Sequence, residues 1–299
     1  MNPETLRHIP VLFNEVFEGL DLKEGDVVLD ATLGGGGHSE EICRRIGEMG
    51  TLVGFDRDED AVERVEIRLE NVPLKKLLRV ANFKDIKKEL AALEIPELNA
   101  ALFDLGLSSF QLEVSGRGFS FERDEPLLMT FEKEKNEGAT ALDVINNYKE
   151  EDLKRIFSEN GERYSGRIAR VIVEARRNKK FSTTKELVSV IEGVVKGRGK
   201  IHPATLVFQA LRMEVNDELE SLREGLVGAW DALKVGGRIA VISFHSGEDR
   251  IVKNFLRDEC REKRAVLINK KPIVPTREEI ISNKRSRSAK LRIATKINE

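Results

Sequence analysis

Short apolar runs alternate with amphipathic stretches through the first third of the chain. The runs are rich in β-branched residues, continuous and four to seven residues long, which is typical of strands buried on both faces of a parallel sheet. They predict strands over 26–30, 51–56, 77–82 and 100–104. Helical patterns over 14–20, 38–47, 59–69 and 86–93 separate them, so the order is that of βαβ units in a doubly wound α/β sheet.

The pattern changes after residue 112. Amphipathic helices are predicted over 140–145, 151–157, 167–175 and 183–191, without a convincing buried strand before residue 216. A helix over 218–233, a turn at 235–237 and a fifth strand over 238–243 then resume the sheet, and 265–268 with 291–296 complete seven strands as an antiparallel pair at its edge. We therefore predict a discontinuous α/β domain of residues 1–112 and 216–299, with a helical insertion domain at 113–215.

Four consecutive glycines, Gly34–Gly37, follow the first strand and its terminal Asp30. Strand, glycine turn and helix form the geometry in which backbone amides approach a ligand, although some glycine turns only allow close packing. Asp56 ends the second strand, where a doubly wound fold places the acid that binds a ribose diol. Together, the glycine turn and Asp56 predict a cofactor that contains a nucleoside.

The glycine spacing narrows the choice of cofactor. Neither phase of the run completes G-x-G-x-x-G, because Ser39 and Glu40 stand where the third glycine is needed, and no G-K-[ST] follows. S-adenosylmethionine has a ribose and an amino acid but no phosphate, so it fits best. Asp30 and the glycine amides would face its amino-acid end, and Phe83 would flank the adenine.

Composition places further limits on function. The formal net charge is −2 and 34% of residues are charged, so nucleic-acid contact requires a local basic patch. One candidate is the run 284–292, in which Lys284, Arg285, Arg287, Lys290 and Arg292 are basic; such a run is either a phosphate-binding strip or a solvated face. Cys43 and Cys260 match no metal or disulfide spacing, and no apolar run could span a bilayer. We expect a cytoplasmic protein without a metal.

Many ordered motifs resemble those of the MraW-type methyltransferases, over nearly the whole chain. The matching segments are His8-Ile-Pro-Val-Leu12, Gly34–Ser39, Phe55–Asp58, Asp104–Ser109 with Gln111, Arg117–Phe121, Gly161–Arg163, His202–Thr205, Phe208–Arg212, Val215-Asn216, Val241–Ser246, Glu248–Arg250 and Arg285–Arg292. Members of this family methylate the exocyclic N4 of a cytidine in small-subunit (16S) ribosomal RNA near the decoding centre.

The resemblance implies a seven-stranded class I methyltransferase sheet with a helical insertion for substrate recognition. It implies that the cofactor contacts are Gly36, Gly37, His38, Asp56, Phe83, Asp104 and Gln111, and that the partner is small-subunit RNA in an assembled or assembling subunit. The chain departs from the family pattern at Leu128, Thr130, Leu206 and Gly247. These positions concern substrate contacts and not the cofactor site.

A cytosine amino group is a poor nucleophile because its lone pair is delocalised into the ring. A hydrogen-bond acceptor and in-line positioning would activate it. The candidate acceptors are Asp104, Ser108 and Ser109 after strand four, with His245 or Asp249 after strand five. Neither cysteine lies at these strand ends, so a covalent enzyme–base intermediate is not expected. Two alternatives remain open: methylation of another substrate, and a non-catalytic RNA-binding assembly factor.

Overall fold

The computed structural model describes residues 10–133, 138–195 and 202–299, so His8 and Ile9 of the first motif lie outside the described residues. The chain forms two compact units. One contains the segments up to Leu107 and from Leu219 to Glu299, and the other is Ser108–Glu218. The divisions fall after residues 107 and 218, whereas the hydrophobic pattern placed them after residues 112 and 215.

A seven-stranded sheet organises the first unit. Its strands are β1 (Val27–Asp30), β2 (Thr51–Asp56), β3 (Lys75–Val80), β4 (Leu98–Asp104), β5 (Leu233–Ser243), β6 (Ala265–Leu267) and β7 (Lys290–Lys296). They lie in the order β3-β2-β1-β4-β5-β7-β6. The first five pair in parallel, while β7 is antiparallel to both β5 and β6. This confirms the predicted mostly parallel sheet with an antiparallel pair at one edge. Within that pair, β7 lies next to β5 and β6 is the outermost strand.

Helices cover the sheet of the first unit. They are α1 (Phe13–Leu20), α2 (Gly37–Ile46), α3 (Glu59–Arg68), α4 (Ile86–Ala92), and, after the second unit, α11 (Glu218–Ala232), α12 (Ser246–Arg261) and α13 (Arg277–Ser282). Two apolar clusters fill the space between helices and strands; Val28 and Leu52 belong to one, Leu29 and Phe103 to the other. Alternate residues of one strand thus enter opposite layers, which explains the continuous apolar runs.

Two predicted strands differ from the structure in their bounds. β3 lies two residues earlier than predicted, because Lys75 and Lys76 tolerate a sheet edge and pair with Thr51 and Leu52. β5 begins at Leu233, where a helix end and a turn had been predicted. Its register against β4 shifts there, so the residues predicted as a turn form an irregularity within the strand.

The second unit is helical in its described part. Its helices are α5 (Ser109–Glu113), α6 (Ala141–Asn147), α7 (Glu150–Glu159), α8 (Ser165–Asn178), α9 (Thr184–Val194) and α10 (Thr205–Asn216). Four match the amphipathic patterns, whereas α5 and α10 had not been predicted. Leu153, Phe157, Ile168 and Ile172 are buried, as expected of one packed stripe on each helix. None of the described helices of the chain is long and apolar enough to cross a membrane.

Candidate active site

Three aspartates end adjacent strands of the first unit. Asp30, Asp56 and Asp104 are the last residues of β1, β2 and β4, and β1 lies between the other two. The strands are parallel, so the three carboxyl groups follow the same edge of the sheet, where open α/β folds bind ligands. The fold therefore brings three aspartates that are far apart in the sequence to one edge of the sheet, which we call the acidic edge.

Asp30 holds the glycine turn against the first strand. Its Oδ2 accepts a hydrogen bond from Ser39 Oγ at 2.6 Å, and its Oδ1 accepts one from the Thr32 backbone N–H at 3.2 Å. The residue is 1% exposed, and burial raises the pKa of its carboxyl to about 7. We infer that Asp30 positions the turn, and the ligand contact predicted for it stays a prediction.

The requirement for glycine differs between the positions of the turn. Gly34 and Gly36 have φ of 49° and 78°, in the left-handed region that side chains disfavour. A Cβ on Gly37 would lie 2.5 Å from Pro10 Cγ, so this position is held by close packing. A Cβ on Gly35 would meet nothing within 4 Å. Part of the run thus serves packing, and part shapes the backbone.

Asp56 connects the glycine turn to the second strand. Its Oδ2 accepts from the Gly34 N–H and its Oδ1 from the Asp58 N–H, both at 2.9 Å. Each carboxylate oxygen has a second acceptor position, so both can still receive a hydroxyl proton. Burial raises the pKa of Asp56. The carboxylate is fixed in orientation and retains the capacity that a ribose diol needs.

Asp104 lies at the end of β4, and one of its carboxylate oxygens lacks a hydrogen-bond donor among the described residues. Its backbone N–H donates to Thr32 Oγ1 at 2.7 Å, and its Oδ2 lies 3.5 Å from His38 Nδ1. Its Oδ1 is buried and accepts no hydrogen bond from any residue that the structure describes. Burial, together with the charges of Asp30 and Glu248, raises the pKa of Asp104 to about 8. This oxygen is suited to a donor supplied by a ligand.

Thr32 and Ser39 were not among the predicted site residues. Thr32 joins the ends of β1 and β4, and Ser39 joins α2 to β1. The Ser39 hydroxyl donates to the Asp30 carboxylate and orients it, whereas the Thr32 hydroxyl accepts from the Asp104 backbone N–H and positions the end of β4. The position of Thr32, two residues after a strand-ending aspartate, was a usable signal for this role.

Two aromatic groups lie near this edge of the sheet. His38 is buried beside Phe13 and Phe17, with ring centroids 6.2 and 6.0 Å apart. Phe83 begins a 3-10 helix after β3 and meets the Phe103 ring edge to face at 5.6 Å. Phe83 is only half-buried, which leaves part of the ring accessible for the adenine contact that the resemblance implies.

Ser108, Ser109 and Gln111 belong to the second unit. Ser108 is the N-cap of α5: its Oγ accepts from the Gln111 N–H at 3.2 Å, and Gln111 Oε1 accepts from the Ser108 N–H at 3.0 Å. This reciprocal capping box gives both side chains a structural role that S-x-x-Q spacing could have revealed. Ser109 is the first residue of α5 and is half-buried.

His245 has a capping role where an acceptor role had been predicted. Its Nδ1 accepts from the backbone N–H groups of Gly247 and Glu248, at 3.2 and 3.4 Å, so the proton of the neutral ring is on Nε2. Nε2 lies 3.1 Å from Glu248 Oε1. Nδ1 is therefore engaged as the cap of α12, whereas Nε2 is buried and has no hydrogen-bond partner among the described residues, and the acceptor role of His245 stays a prediction.

Asp249, the other reserve acceptor, forms ion pairs with two residues of the basic run. Its Oδ1 accepts from Arg292 Nε at 2.8 Å and its Oδ2 from Lys290 Nζ at 3.0 Å. These bonds lower the pKa of Asp249 despite its partial burial. Arg285 and Arg287 are exposed in a 3-10 helix at Lys284–Ser288. Half of the predicted RNA-contact residues are thus held by a local acid.

The acidic edge fits S-adenosylmethionine on electrostatic grounds. Its sulfonium and ammonium groups are positive, and the cluster offers carboxyl groups whose pKa values are raised, mainly by burial. Asp104 Oδ1 is the buried acceptor that such a cation would satisfy. Asp56 would hold the ribose hydroxyls, and the turn at Gly34–Gly37 would flank the amino-acid end.

The comparisons with known proteins agree with this geometry. Residues 5–297 match the sequence model of the MraW methylase family. The chain is 49% identical to the Ribosomal RNA small subunit methyltransferase H of Carboxydothermus hydrogenoformans, covering 97% of this chain and 98% of the relative. It is 46% identical to the protein of that name from Persephonella marina, covering 98% and 100%. The chain therefore belongs to the MraW methylase family, and it is an S-adenosylmethionine-dependent methyltransferase.

Proposed function

We propose that this chain transfers a methyl group from S-adenosylmethionine to the N4 amino group of one cytidine in small-subunit (16S) ribosomal RNA, near the decoding centre. The observation that carries the proposal is the buried acceptor Asp104 Oδ1, which lies among carboxyl groups suited to a cationic donor, in a chain whose close relatives bear the name of small-subunit RNA methyltransferases. The helical unit would recognise the RNA, within an assembled or assembling subunit.

Asp104 is our candidate for activating the amino group. S-adenosylmethionine supplies an electrophilic methyl group when it is bound. An ionised Asp104 accepts a hydrogen bond from the exocyclic N–H and draws the nitrogen toward the pyramidal geometry that exposes its lone pair. Positioning of the two reactants contributes up to about 7–11 kcal/mol in favourable cases. The target base has to be unpaired or extruded from its helix to reach a crevice at the sheet edge.

A direct transfer is favoured over a covalent intermediate by the placement of the cysteines. Methylation at carbon requires a thiolate that adds to the ring. Cys43 is 2% exposed in the apolar layer beneath α2, and burial raises its pKa to about 12. Cys260 lies near the end of α12, and most of that 16-residue helix separates it from the end of β5. Neither thiol is placed as a nucleophile at the acidic edge.

The nature of the product tests the proposal. Small subunits lacking the modification are incubated with the protein and isotopically labelled S-adenosylmethionine, and their RNA is digested and analysed by mass spectrometry. We expect the label in a single N4-methylcytidine. A label on C5, on another base or on protein would contradict the assignment, and binding of the cofactor without any transfer would favour a non-catalytic assembly factor. Naked RNA in a parallel reaction identifies the assembly state that is recognised.

Arg285 and Arg287 are proposed to contact RNA phosphates. Replacing both with alanine is expected to weaken RNA binding and to reduce the slope of log Kd against log salt by about 1.4–1.8, since each phosphate contact contributes ~0.7–0.9. Titration of labelled small-subunit RNA between 50 and 200 mM salt measures this slope. Arg257 and Arg261, exposed on α12, provide a matched double-alanine control. An equal slope in the two variants would identify Arg285 and Arg287 as a solvated face.

A further inference from the structure

A second basic run lies in the helical unit, where α8 passes to α9. Residues 176–185 contain five cations and no acid, and none of them had been assigned to a function. They are Arg176, Arg177, Lys179, Lys180 and Lys185. The run holds as many cations as the run at 284–292, in a chain whose formal net charge is −2. Such a concentration requires an explanation from the local structure or from a ligand.

The local fold accounts for two of these five cations. Arg176 donates to the carbonyls of Ile145 and Tyr148, both at 2.6 Å, and so caps the end of α6. Lys179 Nζ lies 2.5 Å from Glu186 Oε1, and this contact and the capping hydrogen bonds lower the pKa of Glu186 to about 2. Arg176 and Lys179 therefore have structural partners.

The other three cations remain available to a ligand. Among the residues that the structure describes, no carboxylate lies within 4.0 Å of Arg177 or Lys180. Lys185 Nζ donates to the carbonyl of Phe121 at 3.0 Å, a bond that leaves its charge uncompensated. All three residues are exposed. The run thus carries three positive charges beyond those that its fold uses.

The surface beside two of these cations, Lys180 and Lys185, is concave. A groove of about 460 Å³ has Ala175, Phe181 and Val190 among its lining residues, with Lys179, Lys180 and Lys185 around it. Phe181 is 5% exposed, so it supplies a packed wall and not a face for a base to stack on. Low-dielectric walls concentrate the field of the surrounding charges. A groove of this kind suits a polyanion held through its backbone.

We propose that this groove, together with the exposed Arg177 of the same basic run, binds backbone phosphates of the RNA substrate. The inference rests on the proposed function, and it gives the helical unit a defined contact of its own. The acids of the two basic runs support it: Asp249 pairs with both Lys290 and Arg292 in the other run, whereas Glu186, the only carboxylate among the described residues that line this groove, is bound by Lys179 and by its cap. Phosphate contacts would fix the register of the RNA without reading its sequence.

A triple variant, Arg177→Ala with Lys180→Ala and Lys185→Ala, tests the groove. We expect the slope of log Kd against log salt for a small-subunit RNA transcript to fall by about 2–3, since each phosphate contact contributes ~0.7–0.9. The Kd for S-adenosylmethionine is expected to stay unchanged, because none of the three is among the residues that form the acidic edge. The melting temperature should change little, because all three side chains are exposed and the bond lost is that of Lys185 to the Phe121 carbonyl. The loss should be independent of RNA sequence.

Two further variants make the outcome specific. Lys88→Ala with Lys154→Ala and Lys253→Ala removes three exposed charges elsewhere, and we expect it to retain the wild-type slope. Arg177→Lys with Lys180→Arg and Lys185→Arg retains the charge, and it should also retain the slope. An unchanged slope in the alanine variant of residues 177, 180 and 185 would contradict RNA binding at the groove. An equal fall of the slope in the alanine variant of Lys88, Lys154 and Lys253 would contradict it too. A wild-type protein that neither binds nor methylates the RNA would overturn the proposed function itself.

Discussion

Replacing Asp104 with asparagine is expected to lower the rate of methyl transfer by about 10²–10⁴-fold, the range typical for loss of a positioned acid–base group. Asparagine has nearly the same shape, so the ends of β1 and β4 remain joined through the bond from the residue 104 N–H to Thr32 Oγ1. What is lost is the negative charge that accepts the amino proton. Single-turnover transfer to small subunits, with cofactor binding measured separately, distinguishes chemistry from affinity.

The pH dependence of the wild-type protein gives the same prediction a second readout. The pKa of Asp104 is about 8, so the group is mostly neutral at pH 6 and ionised above pH 8. We expect kcat/KM, which reports the free enzyme, to rise with pH, to reach half its maximum near pH 8 and to level off above about pH 9. The Asp104→Asn variant should lack this rise.

Stability is expected to change with pH in the opposite direction. Because the folded pKa of Asp104 lies above its unfolded value near 3.8, the stabilisation from proton binding is complete at low pH and is lost as pH rises through about 8. The asparagine variant should therefore gain stability relative to the wild type above pH 8. Asp85→Asn, at a half-buried acid after β3, serves as the control. Full activity in Asp104→Asn would exclude Asp104 as the acceptor.

Replacing Asp56 with alanine is expected to weaken S-adenosylmethionine binding by roughly 10- to 150-fold, the equivalent of one charge-assisted hydrogen bond of about 1.5–3 kcal/mol. The carboxylate accepts hydrogen bonds from two backbone N–H groups and can accept further hydrogen bonds from ribose hydroxyls. Calorimetry of cofactor binding measures the loss, and unchanged affinity would contradict a ribose contact.

An analogue separates ribose recognition from support of the turn. Asp56 also accepts from Gly34, so the alanine variant could lose affinity because the glycine turn shifts. For the wild-type protein, a 2′-deoxy analogue of the cofactor should bind more weakly than S-adenosylmethionine. In Asp56→Ala this difference should disappear if the carboxylate holds the 2′-hydroxyl, and persist if Asp56 only supports the turn. Melting temperatures establish that the variant remains folded.

Much of the fold followed from the order of hydrophobic runs. The continuous apolar strands and the helices between them were sufficient for a doubly wound sheet, because burial on both faces removes the alternation of an exposed strand. Bounds were less well determined at the sheet edge, where Lys75 and Lys76 form strand despite their charge. α12 was missed because it is rich in charged residues, and its cap at His245 could be recognised only in retrospect.

The sequence by itself determined which residues could bind a cofactor, since Asp56 and the glycine turn follow strands whose order was readable. Tertiary structure decided what each group does, because hydrogen bonds between distant segments set the orientation of a side chain. Asp56 accepts from the Gly34 N–H of the glycine turn, and Thr32 after β1 accepts from the Asp104 N–H at the end of β4. Asp104 remains with a buried oxygen that accepts no bond from the described residues. Burial, which no local pattern reveals, is also what raises its pKa.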